Sequence, residues 1–94
     1  MARPRKKRRI GFDPGAIYFK PRAIPLSQIQ EVNLSRGELE AIRLVDFEGH
    51  SQNKASKKMN VSQSTLQRSL ASARSKIAEA LTEGKAIRVE DMLE

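Results

Sequence analysis

A chain of 94 residues is long enough for one compact domain with a modest core and short tails. Hydrophobic residues make up 38% and aromatics only 4%, so a core must be built from Leu, Ile, Val, Ala and Met; the absence of Cys excludes a disulfide framework, thiolate metal sites and a cysteine nucleophile. The net charge of +7 is concentrated: residues 1–22 carry +7 and residues 51–76 carry +6 with no acid, while residues 23–50 and 77–94 carry −3 each. Such segregation suits a surface facing a polyanion, and also a solvated basic face that aids solubility.

One histidine, His50, cannot supply a histidine-rich metal cluster, and neither a metal nor another cofactor is expected. No apolar run approaches the roughly 20 residues that span a bilayer, and the basic start of the chain is not followed by an apolar segment of the secretory kind. No membrane association is expected; the expected location is cytoplasmic, at the nucleoid.

In chain order, residues 1–9 form a basic arm, Arg3, Arg5, Lys6, Lys7, Arg8 and Arg9, without apolar periodicity and expected to be disordered in isolation. Two roles fit it: an arm laid in the minor groove of DNA, or an electrostatic tether. Residues 10–34 are punctuated by Pro14, Pro21 and Pro25, which forbid a long helix, and are expected to pack on the core as an extended segment. Ala16-Ile17-Tyr18-Phe19 reads as a short strand, and Ser27 with Gln30 as the capping box of one helical turn. Phe12, Tyr18 and Phe19 are expected in the core.

Residues 35–85 read as a helical domain. Ser35-Arg36-Gly37-Glu38 has capping-box form, Leu39, Ile42 and Val45 recur with Leu44 and Phe47 as a broad buried face, and Gly49 ends the helix. Ser51 caps a second helix to about Met59; Asn60 tolerates a left-handed backbone. Ser62 caps a third helix to about Glu83, some 33 Å long, with Gly84 as its stop. Residues 86–94 are a short strand or tail, in which Ala86-Ile87-Arg88-Val89 pairs either with Ile17–Phe19 or across a two-fold axis.

The spacing over residues 51–71 fits a helix-turn-helix. With Gln52 as its first position, Ala55 and Met59 face inward, Asn60 makes the turn, Val61 plugs the gap, and Leu66 and Leu70 line the inner face of the second helix. Ser56 stands where close helix crossing usually demands Ala. The fold class expected is mainly all-α: a helix-turn-helix three-helix core with a long C-terminal helix, a basic disordered arm and a short extended N-terminal segment. Further along that helix the stripe through Ile77, Ala80 and Leu81 either completes the domain's own core or forms a seam with a second protomer, and a homodimer is expected.

Two resemblances bear on this reading. Leu34 through Gly49 followed by Ser51-Gln52 is similar to the DNA-binding fourth region of sigma factors. The chain as a whole, through Ala2-Arg3-Pro4, Arg8-Arg9-Ile10, Tyr18-Phe19-Lys20-Pro21, Ile24-Pro25-Leu26, Gln67-Arg68 and Glu83-Gly84-Lys85-Ala86, resembles uncharacterised protein family 251, small proteins for which DNA binding is inferred. The resemblance implies duplex DNA as the partner. Members often carry Cys near the arm and this chain has none.

A third helix entering the major groove presents Ser62, Gln63, Ser64, Gln67 and Arg68 to base edges, where Gln pairs bidentately with adenine and Arg with guanine. Lys54, Lys57 and Lys58 on the supporting helix are expected on phosphates, with Gln52 helping to seat a phosphate at the helix start. Arg74 and Lys76 are weaker candidates. An enzyme is not expected: Asp46, His50 and Ser51 flank a helix end without an oxyanion-hole segment, and Glu38 and Glu40 point to different sides of one helix. The expected function is sequence-specific duplex DNA binding in transcription regulation. The alternatives are an RNA-binding protein using the arm, for which an aromatic stacking platform is lacking, and a sigma-like module docking on transcription machinery.

Overall fold

A computed structural model describes residues 17–90. The arm residues, Phe12, Ala16 and residues 91–94 lie outside the described residues. Among the described residues, three α-helices and a small three-stranded sheet make a broadly all-α architecture. Strand β1 is Tyr18–Phe19, β2 is Glu31–Leu34, and β3 is Ala86–Val89. Helix α1 is Arg36–Ile42, continued by a π-helical turn at Arg43–Phe47; α2 is Gln52–Met59 and α3 is Gln63–Glu83.

Side-chain caps set most of these boundaries. Ser35 Oγ accepts the Glu38 N–H at 3.0 Å while Glu38 Oε1 accepts the Ser35 N–H at 2.9 Å, the reciprocal pair that closes a helix start. Ser51 caps α2 through the Lys54 N–H, and Ser62 caps α3 through the Thr65 N–H, both at 3.1 Å. Asn60, at φ 61°, and Gly84, at φ 70°, end α2 and α3 in the left-handed region. The turn expected at Ser27 is instead a 3₁₀ turn at Leu26–Gln28 that follows Pro25 and has no side-chain cap. Proline at the cap position fixes its own φ but has no side-chain acceptor to offer.

Strand β3 sits centrally. It pairs antiparallel with β1, Phe19 opposite Ile87, and parallel with β2, Val32 opposite Ile87 and Leu34 opposite Val89. The strand at residues 86–89 thus closes onto the N-terminal segment of its own chain. A parallel pair needs a long crossover, and here α1, α2 and α3 are that crossover. Val32 and Leu34 are buried while Glu31 and Asn33 face out, the two-residue alternation of a half-buried strand.

The core joins Ala41 and Leu44 of the first helical stretch to Ala55 of α2 and Leu66 and Leu70 of α3, with Ile42, Val45, Met59 and Val61 packed against it. Ser56 is 3% exposed, and its hydroxyl donates to the Asn53 carbonyl at 2.8 Å, so a small polar residue fits the helix crossing without a lost hydrogen bond. Two expectations are corrected. Phe47 is 83% exposed, because the π-helical turn, with the Glu48 N–H on the Arg43 carbonyl, rotates the residues after Arg43 off the α-helical phase. Tyr18 and Phe19 are exposed rather than core, since a two-residue edge strand has no layer above it; the Tyr18 hydroxyl donates to Glu31 Oε2 at 2.7 Å. Of the stripe late in α3, Ala80 is buried and Ile77 half-buried within the chain, which leaves Leu81 exposed.

Glu38 ties three elements together. Its carboxylate accepts from Ser72 Oγ at 2.6 Å and Lys76 Nζ at 2.9 Å, both on α3, and Lys76 Nζ also donates to the Asn33 carbonyl of β2 at 2.7 Å. Burial alone would push this carboxyl up, but the hydrogen bonds from Ser72, the Ser35 N–H and Lys76 outweigh it and hold it below the usual glutamate value. The folded carboxyl therefore releases its proton more readily than the unfolded one. Its contribution to stability is complete above the unfolded value of about 4.3 and is lost as pH falls below that, through the folded value.

Two stability predictions follow from these contacts. Glu38→Gln is expected to lower unfolding stability by about 2 kcal/mol near neutral pH and by less at acid pH, where the wild-type carboxyl is protonated; urea melts at a series of pH values measure this. For the turn, Asn60→Gly is expected to be close to neutral, whereas Asn60→Val should cost about 1–2 kcal/mol, because a β-branched side chain resists the left-handed backbone. Equal melting midpoints for the two Asn60 variants would count against that turn geometry.

Candidate nucleic-acid interface

Helices α2 and α3 pack through Ala55, Leu66 and Leu70, and this contact sets which of their residues face outward. On α2, Lys54, Lys57 and Lys58 lie three and four positions apart and share one exposed face. On α3, Gln63 with Gln67 and Ser64 with Arg68 are each four apart, so the two pairs form adjacent exposed rows along its first two turns. Ser62 precedes them at the cap, and Gln52 is half-buried at the start of α2.

The polar side chains on this face differ in what they have left to offer. The Ser62 hydroxyl accepts from the Thr65 N–H and donates to Thr65 Oγ1 at 2.9 Å, while Ser64 Oγ lies 3.2 Å away. Ser62 is therefore committed to the cap, and its capacity to donate elsewhere is spent. Gln63 Nε2 donates to Asn53 Oδ1 on α2 at 2.7 Å. Gln67 and Arg68 make no side-chain hydrogen bond among the described residues. Sequence reasoning passed over Asn53; it lies ten positions from Gln63, and only the packing of α2 on α3 brings the two amides together.

Positive charge gathers on this face without a matching acid. Among the described residues, Lys54, Lys57, Lys58 and Arg68 enter no ion pair, and no acid occurs in residues 51–76. Several cations elsewhere are matched, although Lys20, Arg22 and Arg88 also enter no ion pair among the described residues. Arg43 forks onto both Glu40 oxygens and reaches Glu48, and Lys85 pairs with Glu79 and Glu83. Arg74 donates to both Asp46 oxygens, at 2.7 and 3.1 Å, and the hydrogen bonds from Arg74 hold the Asp46 carboxyl below its ordinary value. Arg74 and Lys76, the weaker candidates, are thus internal ties linking α3 to Asp46, Glu38 and Asn33.

The residues that superficially suggest a hydrolase do not assemble. His50 Nε2 lies 3.2 Å from Glu48, Asp46 engages Arg74, and Ser51 Oγ is the α2 cap. Among the described residues no group of three or more His, Cys, Asp or Glu is placed to hold a metal, and no helix is long and apolar enough to cross a membrane. Chemically, the α2–α3 face offers fixed positive charge beside two amides and a guanidinium. These are donors for anionic oxygens and, for the amides, paired donor and acceptor groups.

Comparison with known proteins places the chain. The model of the family described as "Protein of unknown function DUF134" matches residues 1–91. A UPF0251 protein of Halothermothrix orenii is 57% identical over 90 residues, covering 96% of this chain and 67% of the relative. UPF0251 proteins of Moorella thermoacetica and Desulforudis audaxviator are 54% and 51% identical over 90 residues, covering 96% of this chain and 60% and 59% of those relatives. The chain thus spans only about three fifths to two thirds of the length of these curated relatives. No solved structure matches it. On the match over residues 1–91 and these identities to UPF0251 proteins, the chain belongs to the DUF134 family.

Proposed function

We propose that this chain is a sequence-specific duplex DNA-binding protein acting in transcription regulation, with α2 and α3 as a helix-turn-helix and the start of α3 seated in the major groove. The observation that carries the reading is the pairing of charge with geometry. Unpaired Lys54, Lys57 and Lys58 flank the exposed Gln63, Gln67 and Arg68, in a stretch without one acid, across a turn made by a left-handed Asn60. Lysines on a supporting helix suit phosphates, which position a protein, and Gln and Arg at the start of the next helix suit base edges, which specify the site. Ser64 is a short permissive contact. Ser62, committed to its cap, serves the fold first. Gln52 contributes at the start of α2, where backbone N–H groups favour an anion.

The arm at residues 3–9 adds sequence-independent attraction in this reading, and the nucleoid is the setting. A homodimer is part of the same proposal. Leu81 is 77% exposed and Phe19 62% exposed, and with Pro21 and Ile87 they line an apolar groove of about 340 Å³ at the far end of α3 from the reading residues. Doubling the reading surface suits a protein whose single copy touches few bases.

Fluorescence anisotropy over a salt series tests the reading. Duplex enriched for binders from a random library is compared with scrambled duplex and with structured RNA. The expected result is a preference of about 10³-fold or more for the selected duplex, cut by at least about tenfold by Gln67→Ala with Arg68→Ala. Lys57→Ala with Lys58→Ala should instead weaken all duplexes and reduce the steepness of the salt dependence by up to about two phosphate contacts. Equal binding of duplex and RNA, unchanged by any of these substitutions, would contradict the proposal and move attention to the arm. Light scattering at micromolar concentration checks the dimer: wild type at twice the monomer mass and Leu81→Glu at the monomer mass are expected, and a monomeric wild type would contradict it.

A further inference from the structure

We infer that Asn53 is a positioning residue that holds the Gln63 amide in the orientation that reads adenine; this deepens, and rests on, the DNA-binding reading above. The bond between Gln63 Nε2 and Asn53 Oδ1, at 2.7 Å, joins two exposed side chains on different helices. An exposed amide pair exchanges one set of hydrogen bonds for another with water and contributes little to the fold. Its consequence is conformational. A glutamine side chain has several free torsions, and fixing it before the ligand arrives removes part of the ordering cost of recognition. Ser56 Oγ, buried at the helix crossing, donates to the backbone carbonyl of Asn53 at 2.8 Å and ties down the backbone from which the Asn53 side chain reaches Gln63.

The chemistry of the amide makes the tie and base reading compatible. The Gln63 nitrogen carries two hydrogens. Bidentate reading of adenine uses one N–H, donated to N7, and the Gln63 Oε1, which accepts from N6. The bond to Asn53 occupies the other N–H. With Asn53 Oδ1 as the acceptor, a Gln63 flipped alone would set oxygen against oxygen, so the reversed pair forms only if both amides turn together. In the arrangement observed, the free N–H and the oxygen of Gln63 remain available together for adenine. Asn53 Nδ2 stays available to a phosphate beside Lys54, which would couple the seat on the backbone to the reading of the base.

The test uses the full chain and the duplex it selects from a random library, with each base pair of that duplex then replaced in turn and binding measured by competition. Wild type is expected to prefer adenine by about tenfold or more at one position, a preference that Gln63→Ala removes. Asn53→Ala should cut the preference at that same position toward the Gln63→Ala level and leave the other positions unchanged. The double variant should lose no more than Gln63→Ala alone. Asn53→Asp keeps the acceptor, so it should keep the adenine preference while weakening every duplex through its added negative charge, and it decides the matter if Asn53→Ala proves less stable than wild type. Retention of the full preference by Asn53→Ala, multiplying losses in the double variant, or loss of the preference in Asn53→Asp would overturn the inference alone. A wild type that selects no sequence would overturn both this inference and the reading it rests on.

Discussion

The fold depends on a single buried carboxylate. Glu38 closes the cap of α1 and accepts from Ser72 and Lys76 of α3, while Lys76 carries the connection to Asn33 on β2. A charge in that position is costly to bury unless every lone pair finds a donor, and here it meets a hydroxyl, a backbone N–H and an ammonium group. The sheet, the first helix and the long third helix are thereby fixed in one arrangement. With α3 fixed at its middle, its N-terminal turns project beside α2, and the basic face of the molecule takes its shape from that constraint.

Packing and charge then divide the helices between two tasks. The inner faces of α2 and α3 are small and apolar where they cross, with Ala55 and Ser56 allowing close approach and Leu66 and Leu70 filling the core. Several cations away from the basic face are paired with acids: Arg43 with Glu40 and Glu48, Arg74 with Asp46, Lys76 with Glu38. Those on the outer face of α2 and the start of α3 are unmatched within the described residues. The Lys76–Glu38 pair is part-buried and holds the fold, whereas the exposed Arg74–Asp46 pair contributes little to stability and chiefly neutralises its own surface.

How much of this was legible in the sequence depends on the range of the interaction. Caps are local, so Ser35, Ser51, Asn60, Ser62 and Gly84 marked the helix ends within a residue, and helical periodicity placed Leu66 and Leu70 inside and Gln63, Gln67 and Arg68 outside. Periodicity failed at Phe47, because a π-helical turn holds more residues than the α-helix and shifts the phase after Arg43. Strand β2 was hidden, since four residues with two apolar positions, close after Pro25, give too short an alternation to stand out. Aromatic character misplaced Tyr18 and Phe19, which sit on a two-residue edge strand. Counting bases could not separate Arg74 and Lys76, which are internal ties, from the lysines of α2. The pairing of Asn53 with Gln63 joins residues ten apart across an inter-helix contact, a distance at which no local pattern speaks.

The claim at the centre of this account is that the face shared by α2 and the start of α3 is the surface that meets DNA. The most direct measurement is a residue-resolved nuclear magnetic resonance titration of the isotope-labelled chain with its selected duplex. The account predicts that the amide signals that move are concentrated at residues 52–58 and 62–68, with the side-chain amides of Asn53, Gln63 and Gln67 among them. The sheet and the last turns of α3 should stay still, apart from changes at a dimer contact near Leu81. Perturbations that spare residues 52–68 and gather on residues 1–9 or on the sheet would contradict it.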